Sequence, residues 1–259
     1  MNKRLTHIGF SQRIRLEWLA QTANLVLAGN DETSIYNALQ DLLNDKLSVG
    51  SNARWNNREK AIIILMKIWV RPPYPLRHVH QAGLELLARL PSEYHIAIHW
   101  GMTMAVYPFW GAVAAHVGRL LRLQGKVRHA QVRRRIMEQY GQRSTVKDAV
   151  RRVLRSMVDW GVLRDALPGH TGRFDGTYVS GLSLEIARVE LIAWLVEAFL
   201  HAHSENSVAF QTILNSPRLF PFCVHPVPAA HLVAASDRLD VLRHGLDQEL
   251  LLLRTTGQA

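Results

Sequence analysis

The sequence predicts a mainly α protein in three parts: a multi-helix N-terminal region over residues 1–107, a compact module of three helices and a β-hairpin over 108–181, and a helical C-terminal extension over 182–259. Three observations lead there. Apolar residues recur at three- and four-residue spacing through most of the chain. Glycine and proline fall between the periodic segments, where helices stop. Charge is concentrated: Arg119 to Arg164 holds thirteen Lys or Arg against Glu138, Asp148 and Asp159, and the rest of the chain balances, so the whole formal charge of +10 lies there.

The N-terminal elements follow in order. Ser11 is placed to cap a helix carrying Leu16, Leu19, Ala23, Val26 and Leu27, which ends at Gly29. A second helix runs from about Glu32 to Asp45, with Ile35, Leu39 and Leu42 inward. After a polar loop over 50–57, Arg58 to Val70 is a strongly apolar helix stopped by Arg71-Pro72-Pro73. Leu76 to Leu90 follows. From His95 to Gly118 there are 24 residues without Asp, Glu, Lys or Arg, enough to span a bilayer. Pro108 removes a backbone donor in that stretch, so two shorter buried helices are expected instead of a membrane span.

The basic module comes next. Phe109 to Leu123 reads as a helix with Val113, Val117, Leu120 and Leu121 buried and Gly125 as its stop. His129 to Tyr140 is a second helix, with Val132, Ile136 and Tyr140 four apart, closed by Gly141. Ser144 or Thr145 is placed to cap a third, with Asp148 reaching back from its first turn and Val146, Val150, Val153, Leu154 and Met157 as its apolar face. It ends at Trp160-Gly161. Val162 and Leu163 are one short strand, Thr177 to Val179 the returning one, and the turn between them holds Pro168, Gly169 and Gly172. Three helices and a hairpin, with a short loop between the last two helices, resemble the winged helix-turn-helix DNA-binding superfamily. In the extension, Leu184 to His203 reads as one long helix, 220–235 as extended chain or an irregular hairpin, and Ser236 or Asp237 as the cap of a final helix bearing Leu239, Leu242, Leu246 and Leu250.

The chemistry sits on the third helix of the module. Lys147, Arg151 and Arg155 fall at i, i+4 and i+8 and line one stripe opposite the apolar face, with Arg152 beside them. A recognition helix needs this arrangement: its back locks into the core and its front projects long cations into a major groove. Ser144 and Thr145 stand where hydroxyls or free amides meet a phosphate. Arg133 and Arg134, with Arg135, point in different directions around the second helix, so some reach a flanking phosphate. Lys126, Arg128 and Arg143 belong to the same concentration, and His170 and Arg173 in the wing are candidates for backbone or minor-groove contact. Duplex DNA is expected over RNA, because A-form grooves are too narrow to admit the helix.

Other classes are disfavoured. At 48% hydrophobic and 20% charged residues the composition is globular, not disordered. One cysteine, Cys223, excludes an internal disulfide and the multi-cysteine zinc sites. It fits a cytoplasmic protein, as does a basic start with no apolar run behind it. His95 and His99 share a helix face, but Ile96 stands where the zinc-protease pattern has glutamate. No nucleophile elbow, phosphate-binding glycine loop or dinucleotide fingerprint occurs. No enzymatic activity, cofactor or metal is expected. Asp159, closing the recognition helix, is expected to pair with Arg155 or to cap.

The order of elements resembles the small BREX accessory protein A family over roughly residues 5–180. The features are Leu25 to Gly29, the Arg-Pro-Pro stop, the apolar middle, Val153-Leu154-Arg155 and Trp160-Gly161-Val162-Leu163. That resemblance implies a DNA-binding accessory of a bacterial anti-phage defence system, with other defence-system proteins as partners and no catalytic residues. The extension beyond 182 departs from the family. The residues alone leave two alternatives: a transcriptional regulator with a helical effector or dimerisation region, working as a homodimer, and an adaptor whose basic face docks an acidic protein.

Overall fold

A computed structural model describes residues 8–47, 56–166, 176–205, 207–244 and 248–254. The chain is mainly helical with small sheets. The N-terminal helices are α1 (Leu16–Leu27), α2 (Glu32–Leu42), α3 (Asn57–Trp69) and α4 (Arg77–Arg89). Asp31 caps α2 by accepting from Ser34 N–H, and Asn56 caps α3 by accepting from Glu59 N–H. Ser11 caps nothing: α1 begins later, at Leu16, with Arg15 in the cap position and no side-chain bond there.

The uncharged stretch splits where proline requires. α5 (His95–Val106) ends two residues before Pro108, which opens α6 (Pro108–Gln124). Among the described residues no helix is long and apolar enough to cross a membrane. From Ile96 to Val106 every residue of α5 is buried, because helices cover it on all sides. One of these is α9 (Val189–His201), whose Trp194 lies on Gly101; a Cβ added there would come within 2.5 Å of the indole. Trp194 Nε1 donates to Val79 O at 2.7 Å, which ties α9 to α4 as well.

The basic region builds a three-helix unit. After α6, Gly125 takes the left-handed conformation (φ +67°) that closes a helix without a Cβ penalty. A strand the sequence reading did not anticipate follows, β1 (Lys126–Arg128). Then come α7 (His129–Tyr140), α8 (Ser144–Asp159), β2 (Leu163–Asp165) and β3 (Thr177–Ser180). The strands form one antiparallel sheet in the order β1-β3-β2, pairing Lys126 with Val179 and Leu163 with Ser180. Residues 167–175, with His170 and Arg173, lie outside the described residues. Gly181 ends the sheet against the backbone of Gly161; a Cβ there would collide with the Gly161 carbonyl oxygen.

The C-terminal region departs most from expectation. Leu184–Ile186 is a strand, β4, and α9 starts only at Val189. β4 runs parallel to β6 (Phe222–Val224). The 220–235 stretch is extended only in part, since Ala229–Ala235 forms a helix, α11. The expected final helix does not form. Leu239–His244 (β7) and Gln248–Leu253 (β8) pair as an antiparallel hairpin, with β5 (Ser207–Ala209) on the other side of β8 and the short α10 (Phe210–Leu214) after β5. Buried residues from Phe10 to Leu251 form one continuous hydrophobic cluster.

Candidate nucleic-acid interface

α8 is held from behind. Val146, Val150, Val153, Leu154 and Met157 are all fully buried, as the spacing predicts. Each such side chain contributes roughly 1.5–3 kcal/mol of burial. The end of α8 is anchored to distant chain: Ile14 N–H donates to Ser156 Oγ at 2.9 Å, and Trp160 Nε1 donates to Ile14 O at 3.1 Å. Trp160 also packs on Trp110 of α6, ring centroids 4.7 Å apart, and Phe10 lies 5.4 Å from Trp110. The helix is therefore fixed to both α6 and the N-terminal segment.

Its front is cationic. Ser144, Thr145, Lys147 and Arg151 are exposed, as is Arg143 just before them. Neither hydroxyl residue is the cap. Arg143 occupies that position, its side chain donates to Tyr140 O at 3.0 Å, and no side chain caps the helix start. The first amides of α8 are left for an external acceptor. Asp148 does not reach back; it stands 3.6 Å from Arg151, a surface pair worth little.

The stripe is not uniformly free. Arg155, at its far end, sits 3.8 Å from Asp165 on β2 and hydrogen-bonds Tyr178 on β3. Burial pushes the Tyr178 phenol up to about 12, so it stays protonated beneath the sheet. Asp159 does not pair with Arg155. It makes a two-pronged ion pair with the guanidinium of Arg13, 146 residues away. Arg155 is thus a bolt between helix and sheet, and the cations left exposed along this face are Arg143, Lys147 and Arg151.

The other candidates divide between two faces. Arg128 precedes α7, its backbone N–H donating to the Gln131 side chain at 3.1 Å, and it is exposed along with Lys126. Arg134 and Arg135 reach Glu138, at 3.9 and 3.2 Å. Both line a hollow against His116 and Arg119 of α6 and are not brought together with the α8 stripe. Arg133 is half-buried and close enough to His129 to help hold its imidazole pKa down, behind the larger effect of burial and ahead of Arg151 and Lys147.

A cleft of about 850 Å³ opens beside α8. Arg151, Arg152 and Arg155 form one wall, Gln12, Arg13 and Asn57 the facing one, and His129, Gly176 and Tyr178 the remainder. Residues 12, 13 and 57 escaped the sequence reading because nothing local links them to a helix more than 85 residues downstream. His95 and His99 have separate partners: His95 Nε2 meets Leu90 O at 3.0 Å, and His99 Nδ1 accepts from Trp69 Nε1 at 3.1 Å. Among the described residues no three His, Cys, Asp or Glu side chains converge on a metal-sized site.

No protein-family model matches the chain, and no curated protein or solved structure is significantly similar to it. The functional reading therefore stands on geometry.

Proposed function

We propose that the protein binds double-stranded DNA without catalysing a reaction, and that residues 108–181 act as a winged helix whose α8 enters the major groove. One observation carries the reading: a helix locked by five buried apolar side chains presents Lys147 and Arg151, with Arg143 and the uncapped first turn, on the opposite surface. Support comes from the order of the surrounding elements, helix–strand–helix–helix–strand–strand with an antiparallel β1-β3-β2 sheet, which resembles that of a winged helix. The concentration of the whole net charge in Arg119–Arg164 supports it independently. Arginine and lysine at the front supply phosphate contacts, and Arg151 is able to grip a guanine edge with two hydrogen bonds. A place among the DNA-binding accessories of an anti-phage defence system is the biological setting we propose, on the resemblance in element order.

The test is fluorescence anisotropy of a labelled random-sequence duplex over a salt series. If Arg143, Lys147 and Arg151 each neutralise one phosphate, the log–log slope is about −2.7, and affinity falls roughly 40-fold between 50 and 200 mM salt. A shallow slope, or no binding to any duplex at low salt, rejects the proposal. Binding to acidic proteins in that case returns the adaptor reading.

A further inference from the structure

Arg152 has no place in the groove-facing stripe. It lies one step around α8 from Arg151, half-buried, and no carboxylate comes within ion-pair distance of it among the described residues. Burial, the largest effect, lowers its pKa against the pull of Asp148, and Arg151 adds to the lowering. The charge it carries is thus neither fully solvated nor held in an ion pair among the described residues.

The cleft it lines repeats that imbalance. Among the described residues four arginines border it and no acid does. Arg13 is matched by Asp159, Arg155 by Asp165 at 3.8 Å and Arg151 by Asp148 at 3.6 Å, which leaves Arg152 as the arginine of the site without an ion pair among the described residues. The facing wall adds neutral donors: the Gln12 amide, whose Nε2 donates one hydrogen to Asn57 O at 3.3 Å and keeps a second, and the exposed Asn57. His129 contributes a buried Nε2 that has no hydrogen-bond partner among the described residues. Like charges gathered in a partly buried cleft repel one another more strongly than in water, and an anion relieves the repulsion. Planar guanidinium forks with amide donors around them and no carboxylate match the oxygens of a phosphate. At about 850 Å³ the space exceeds a single ion and suits a nucleotide-sized group.

We propose that the cleft between α8, β3 and the Gln12–Arg13 segment is a phosphate-binding site, with Arg152 as its principal ligand. The phosphate comes either from the strand of a bound duplex that passes beside α8 or from a free nucleotide. The first source rests on the DNA-binding reading above; the second does not. In the first case the N-terminal region, outside the three-helix unit, forms part of the interface and clamps the backbone against the recognition helix.

The test uses the full chain as native protein, Arg152→Gln and Lys147→Gln, with thermal melting to confirm folding and Arg152→Lys as a charge-preserving variant. Each is titrated with a labelled 20-base-pair duplex by anisotropy and, separately, with ATP by calorimetry. For a strand phosphate, Arg152→Gln weakens duplex binding about tenfold and reduces the salt slope by about 0.9, with partial rescue in Arg152→Lys. For a free nucleotide, ATP binds the native protein and Arg152→Gln loses it, whatever the duplex does. If Lys147→Gln weakens duplex binding while Arg152→Gln changes neither titration, the cleft site is refuted and the groove-binding reading survives. If the native protein binds no duplex but binds ATP through Arg152, the reverse holds. Binding of neither refutes both.

Discussion

Glu197 offers the most quantitative check on the packing. It lies on α9, 3% exposed, and its Oε1 has no hydrogen-bond partner among the described residues. Burial raises its carboxyl from 4.5 to about 7, with Arg238 pulling it down and Asp237 pushing it up. The folded protein therefore holds a proton that the unfolded chain releases above about pH 4.5. The resulting stabilisation is complete below pH 4.5 and is lost as pH rises through 7. The displacement from 4.5 to about 7 corresponds to about 3 kcal/mol. Glu197→Gln replaces the carboxyl with a neutral group of the same shape and removes the titration. Urea unfolding of both proteins at pH 4.5, 7 and 9 isolates the effect, because every other group contributes equally to both. The native protein should lose about 3 kcal/mol relative to the variant between pH 4.5 and 9. A difference that stays constant with pH would show that Glu197 is not buried as described, and with it that α9 is misplaced.

Three further outcomes follow from the same packing. Gly101→Ala drives a methyl into the Trp194 ring and should lower stability by about 1–3 kcal/mol by urea unfolding. Arg155→Glu places a carboxylate beside Asp165 and removes the Tyr178 partner, so it should cost about 1–2 kcal/mol, whereas exposed Arg151→Glu should stay within about 0.5 kcal/mol; equal melting of the two variants would contradict the bolt role of Arg155. Asp159→Asn removes the charge that Arg13 grips and should make the segment before α1 more susceptible to limited proteolysis, with α8 itself unaffected.

The basic unit was legible in the sequence because three independent signals coincide there. Val146, Val150, Val153, Leu154 and Met157 fall on one helical face, Gly125 and Gly141 mark stops, and the charge is confined to the segment. β1 was invisible: three residues, Lys-Val-Arg, carry no periodicity, and their pairing with β3 is decided fifty residues away. The terminal hairpin was misread for a different reason. Leu239, Leu242, Leu246 and Leu250 satisfy helical spacing, but Leu239 and Leu242 fall in β7 and Leu250 in the apolar run of β8, with Leu246 outside the described residues, and apolar residues at such spacing do not by themselves distinguish helix from strand. The pairing of Asp159 was likewise assigned locally, to Arg155 four residues back, when a better-placed guanidinium arrived from Arg13. The cleft had no sequence signature, since Gln12 and Asn57 become neighbours of α8 only through the packing of Phe10 and Trp160 around Trp110.

Acetylation footprinting of the lysines, with and without a random-sequence duplex at low salt, tests the central claim most directly. Lys147, exposed at the front of α8, should lose reactivity when the duplex is present and regain it at high salt, while Lys46, exposed near α2, should not change. Full reactivity of Lys147 under conditions where the duplex is bound would contradict the assignment of α8 as the helix that meets the groove.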